Sequence, residues 1–117
     1  MSGSQRRKGV RGEREVAAIY EAHGFEVRGL EASGDHLIVC DPGSGLVIHS
    51  EVKRQETARP WLWYEQATAE AEPGALAVVH FRRNRSPWLA LLEAERLAGL
   101  LALATLPLEA RRGGDAG

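Results

Sequence analysis

The spacing of hydrophobic and polar positions changes several times along the chain, and each change marks an element. From about Lys8 the period is helical: Val10, Ala17 and Tyr20 share a stripe, with Val16 and Ile19 beside it. Gly24, after His23, is a helix stop. "FEVRGL" (25–30) alternates as a strand does, and "EASG" is a turn. "DHLIVC" (35–40) is a second strand, closed by the turn "DPGSG", and "LVIHSEVKR" (46–54) is a third, so the second and third form a hairpin. After the break "QETARP", Pro60 suits the first turn of a helix that runs through "WLWYEQATAEAE" to Pro73-Gly74. "ALAVVHF" (75–81) is almost continuously apolar, as a strand covered on both faces should be. A short strand near "WLALL" and a helix over about 93–104 complete the order α-β-β-β-α-β-β-α. That order predicts a mixed sheet with helices packed on it.

The chain has 117 residues, 44% hydrophobic and 26% charged, which suits one soluble globular domain with a real core. Residues 1–7 read as a flexible basic arm, 8–106 as the folded domain and 107–117 as a flexible tail. No apolar run is long and clean enough to span a bilayer, and the start has no signal-peptide apolar segment. Cys40 is the only cysteine, which excludes an internal disulfide and a zinc knuckle. The expected location is cytoplasmic, with no membrane partner.

A net charge of −1 says nothing for a nucleic-acid partner, but its distribution does. Arg6, Arg7, Lys8, Arg11 and Arg14 crowd the N-terminus around one acid, Glu13, and Arg82, Arg83 and Arg85 share a loop. Such clusters either meet phosphates or form solvated surface. Lys8 and Lys53 are the only lysines, which draws attention to the second of them.

Three acids stand out by position. Glu13 lies three residues after Val10 and four before Ala17, on the stripe expected to face the core, where a carboxylate is costly unless a cation or donor meets it. Asp35 opens the second strand. Glu51 and Lys53 flank Val52 and so share one face of the third. The hairpin brings Asp35 towards Glu51, and a packed first helix brings Glu13 above both. Close carboxylates repel unless a divalent cation lies between them, and Mg²⁺ takes carboxylate and phosphate oxygens together. With a lysine beside it, such a site meets the needs of phosphodiester hydrolysis. The pattern alone leaves a plainer reading open: a helix-start acid, a turn aspartate and a solvated Glu–Lys pair.

At these residues the sequence resembles the archaeal-type Holliday junction resolvases, a branch of the PD-(D/E)XK nuclease superfamily that also occurs in some bacteria and their phages. The likeness runs through "RKGVRGERE", "HGFEVR", "SGD", "EVK", "LAVVHF" and the tryptophan of "SPWLAL", over about residues 7–92. It implies a restriction-endonuclease-like α/β fold, a central mixed β-sheet flanked by helices in a single nuclease domain. It implies Glu13, Asp35 and Glu51 as metal carboxylates, Lys53 as the catalytic lysine and Ser33 as the family's serine. The implied cofactor is Mg²⁺, with Mn²⁺ substituting. The implied assembly is a homodimer that binds a four-way DNA junction and nicks two opposed strands, a two-fold protein on an approximately two-fold substrate. Arg6, Arg7, Lys8, Arg11, Arg54, Arg82, Arg83 and Arg85 would hold phosphates, which give affinity and orientation rather than sequence preference. Gln66 is a weaker candidate for contact with DNA or the metal's waters. Two departures stand in the motif: only Gly34 separates Ser33 from Asp35, and no proline precedes Asp35. The alternatives are a nuclease of the same superfamily acting on flaps, nicked duplex or RNA, and a non-catalytic DNA-binding protein on this scaffold.

The other notable residues have structural readings. His23 caps a helix end, His36 points away from Asp35, His80 is a satisfied core histidine and Cys40 a small buried side chain. His49 shares the face of Glu51 and Lys53, and of its two readings the structural one is preferred. Trp61, Trp63 and Trp88 read as core or interface anchors rather than base-stacking platforms.

Overall fold

The computed structural model describes residues 3–29, 35–41, 43 and 45–105, with side chains from Arg11 onward. The elements follow the expected order: α1 (Gly3–Ala22), β1 (Glu26–Gly29), β2 (His36–Asp41), β3 (Leu46–Arg54), α2 (Pro60–Glu70), β4 (Leu76–Arg82), β5 (Leu89–Leu91) and α3 (Ala94–Ala104). The five strands form one mixed sheet in the order β1-β2-β3-β4-β5. β2 and β3 form the expected antiparallel hairpin, β3 and β4 run parallel, and the outer pairs are antiparallel. A parallel pair needs a crossover, and α2 supplies it.

Strand alternation sorts the core into two layers. Ile48, Ser50 and Val52 of β3 share a face with Val78 and His80 of β4, and α1 covers it. His49, Glu51 and Lys53 share the other face with Ala77, Val79 and Phe81, under α2. Pro60 opens α2 where its missing N–H costs nothing, and Trp63 and Ala67, one turn apart, bury against Ala77 and Val79. On the α1 side a polar chain crosses the core: the Tyr20 hydroxyl is 2.6 Å from His80 Nε2, and Ser50 Oγ is 2.7 Å from His80 Nδ1. His80 is thus a satisfied core histidine. At the end of α1 the His23 Nδ1–H donates to the Ile19 carbonyl at 2.9 Å, and Gly24 turns the chain with φ +91°.

Four expectations need correction. α1 starts at Gly3, ahead of the expected Lys8, so residues 3–7 of the supposed arm are helical; Gln5, Arg6 and Arg7 are good helix formers with no breaker among them. Among the described side chains of α1 the buried positions are Gly12 and Val16, whereas Glu13, Ala17 and Tyr20 of the expected stripe are half-buried. Gly12 reads as a gap in a hydrophobic pattern, yet its bare backbone admits Trp88 and Val52, which a Cβ would meet at 3.2 and 3.3 Å. Trp61 is 79% exposed and is no core anchor, whereas Trp63 is buried as expected. Cys40 is half-buried rather than buried. The chain's ends at 1–2 and 106–117, and with them the expected tail, lie outside the described residues. Among the described residues no helix is long and apolar enough to cross a membrane.

Candidate active site

β3 is the platform. Glu51 and Lys53, two residues apart on the α2 face, form an ion pair with Lys53 Nζ 3.3 Å from Glu51 Oε1. Asp35 immediately precedes β2, whose first residue, His36, pairs with Ser50. Continuing the ladder by one step sets Asp35 opposite Glu51, on the same face. Both carboxylates are buried, at 9% and 8% exposure. Their charges are felt: burial raises the Glu51 carboxyl above its ordinary range, Lys53 pulls it back by charge and hydrogen bond, and Glu70 of α2 and then Asp35 push it further up. Glu13 is half-buried, and its carboxyl is raised by burial and then by Asp35. The charge of Asp35 is therefore felt by both Glu51 and Glu13.

The donor set suits a hard divalent cation. It consists of carboxylate oxygens, and Glu51 Oε2 is fully buried with no hydrogen-bond partner among the described residues, an arrangement that favours a cation beside it. Among the described residues no three such groups are drawn close enough to enclose a metal as they stand. Glu13, Asp35 and Glu51, the carboxylates expected from the sequence, are thus not gathered into a closed site. Ser33 lies outside the described residues, as do the side chains of Arg6, Arg7 and Lys8.

The remaining arginines fall into distinct groups. Arg82 is committed within the fold: its Nη1 donates to Glu15 Oε2 at 3.0 Å, and its guanidinium sits over the Trp88 ring, 5.6 Å from the centroid. Trp88 Nε1–H donates to the same Glu15 oxygen at 2.8 Å, so Trp88 anchors α1 to the sheet. Arg11, Arg83 and Arg85 are exposed. Arg85 sits at a tight turn with φ 60°, and the Arg83 Nε–H donates to Ser86 Oγ at 3.3 Å. Arg54, the residue after Lys53, points to the opposite face, with Nε and Nη1 buried and without a hydrogen-bond partner among the described residues. Gln66 is exposed and lies one helical turn before Glu70, whose charge acts on Glu51.

Two residues join the site that sequence reasoning had set aside or missed. His49 Nε2 lies 2.9 Å from Asp35 Oδ2, both groups buried. Its place two residues before Glu51 was the available signal. Glu70, on a separate element, had none.

No family model matches the chain, and no curated protein matches it. Among solved structures, it is similar to Archaeoglobus fulgidus Hjc, a Holliday junction resolvase from an archaeal hyperthermophile, with a TM-score of 0.55 and 22% identity over 73% of this chain and 72% of that one. At that identity the likeness is one of architecture. The mixed sheet of β1–β5 with α1 and α2 on its two faces is the restriction-endonuclease-like fold of an archaeal Holliday junction resolvase.

Proposed function

We propose that the protein is a divalent-metal-dependent, structure-selective DNA endonuclease that resolves four-way junctions by paired nicks. The observation that carries this reading is the buried Glu51 carboxylate, ion-paired to Lys53 through Oε1 and, among the described residues, left unpaired at Oε2, with the charge of Asp35, at the start of the neighbouring strand, acting on it. Mg²⁺, or Mn²⁺ in its place, held by Asp35, Glu51 and Glu13, would supply Lewis-acid stabilisation of a phosphate oxygen. Lys53 then offers a fixed ammonium to the charge that develops on the phosphate, in a site already screened from water. The exposed Arg83 and Arg85, with Arg11 and the basic start of α1, grip flanking phosphates without reading bases.

Paired nicks call for two sites in fixed relation, hence a homodimer. α3 is the best seam on this chain: it buries no residue, and Leu97, Leu101 and Leu103 are 43%, 56% and 56% exposed. Digesting a labelled four-way junction, a flap, a nicked duplex, an intact duplex and an RNA duplex side by side with Mg²⁺ tests the substrate class. The four-way junction should be cut well ahead of the others. Faster cutting of the flap, the nicked duplex or RNA would assign the site to another substrate, and no cutting at all would make this a binding protein on a nuclease scaffold.

A further inference from the structure

His49 is buried against Asp35 on the α2 face of the sheet. Its residue exposure is 3%, and its Nε2 lies 2.9 Å from Asp35 Oδ2. The contact crosses the hairpin diagonally: His49 pairs in register with Leu37, and Asp35 lies two residues before Leu37 on the same face. Nδ1, on the other side of the ring, is buried with no hydrogen-bond partner among the described residues. An imidazole and a carboxylate withdrawn from water, with one ring nitrogen unsatisfied, cost stability that a leucine in the same slot would not. A polar ring kept there at a cost has a use in what Nε2–H does.

What it does follows from the position of Asp35, which immediately precedes β2. The His49 bond fixes one carboxylate oxygen from a central, fully paired strand, and with it the direction of the carboxylate plane. Glu13 and Glu51 both feel the charge of this same carboxylate. A bond that sets the aim of a metal-binding carboxylate typically matters by one to two orders of magnitude in metal affinity.

We propose that His49 is a positioning residue, which donates Nε2–H to Asp35 and aims its carboxylate at a divalent cation shared with Glu51. The inference rests on the metal-dependent reading above and adds to it a residue that touches neither substrate nor metal. The test compares the full-length wild type with His49→Leu and His49→Gln. Leucine fills the slot without a donor, and glutamine keeps an N–H on a side chain long enough to reach Asp35. Mn²⁺ binding is titrated by the loss of the free-ion paramagnetic resonance signal, and junction binding is measured in EDTA. His49→Leu should weaken Mn²⁺ binding by roughly 10- to 100-fold while leaving metal-free junction binding unchanged. His49→Gln should recover most of the loss. Wild-type Mn²⁺ affinity in a folded His49→Leu protein would overturn the proposal, as would a His49→Gln protein no better than the leucine variant. If His49→Leu does not fold, His49→Gln alone decides, by retaining or losing Mn²⁺ affinity. Absence of Mn²⁺ binding by the wild type would instead remove the metal-dependent reading, and this inference with it.

Discussion

Lys53 Nζ stands 3.3 Å from Glu51 Oε1, two residues along the same face of β3, where the two side chains are 21% and 10% exposed. The ammonium offsets a carboxylate that burial would otherwise drive further towards its protonated form. The pair can therefore be taken apart energetically as well as catalytically. Lys53→Met should destabilise the fold by on the order of 3 kcal/mol at pH 8, because it leaves a buried charge unmatched. The loss should shrink towards pH 5: a carboxyl whose folded pKa is raised takes up its proton more readily in the folded state, so its penalty grows as pH rises. Adding Glu51→Gln should restore most of the stability. Denaturant titration of the two single variants and the double variant at both pH values checks this, and full additivity would dismiss the coupling.

The loop arginines should divide by role. Arg82→Ala removes a bond to Glu15 and the cover over Trp88, and should cost about 2 kcal/mol of stability. The double change Arg83→Ala with Arg85→Ala should leave the melting temperature unchanged and lower the salt slope of junction binding by roughly one to two units. Thermal melts and binding at several salt concentrations separate these. A destabilised Arg83/Arg85 variant with an unchanged slope would reverse the assignment.

His80 makes the fold acid-sensitive. Burial lowers its pKa to about 4, while the unfolded chain's histidine titrates near 6.5. Between those values the unfolded state binds more protons, so this stability is full above pH 6.5 and is lost as pH falls towards 4, by about 3 kcal/mol at most. Glu13 and Glu51, with raised values, act in the opposite direction, and comparison with His80→Gln cancels them. The wild type should lose stability more steeply than the variant from pH 6.5 to 4, and parallel curves would contradict this.

If α3 is the dimer seam, Leu97→Glu with Leu101→Glu should give a monomer. Both side chains are exposed in the single chain, so the subunit fold should survive, as circular dichroism would show. Sedimentation at micromolar concentration decides the question: a wild-type dimer and a monomeric variant are expected, and an unaltered dimer would place the seam elsewhere.

Much of this architecture was legible from short-range pattern. β3 was read to the residue, because nine positions of strand chemistry stand between a glycine turn and a polar break. The hairpin and the Asp35–Glu51 proximity followed from it. What escaped depends on partners distant in sequence. His49 meets Asp35 only because the hairpin register brings residue 35 diagonally beside it, and no local period encodes that. On α1 the place of Tyr20 against the core was legible, but that of Gly12 was not, because a glycine contacts its neighbours by lacking a side chain. Trp61 and Trp63 look alike in sequence, yet two residues turn a helix by about 200°, and only one faces the sheet.

The most direct measurement of the central claim is single-turnover digestion of a four-way junction labelled on each strand in turn, comparing the wild type with Glu51→Gln and Asp35→Asn. With Mg²⁺ the wild type should nick two opposed strands at symmetry-related positions and leave the other pair intact. EDTA should stop the reaction. The two variants should bind the junction yet cut it roughly 100-fold more slowly or worse. No cutting of any strand by the wild type with Mg²⁺ or Mn²⁺, or equal cutting by Glu51→Gln, would contradict the account.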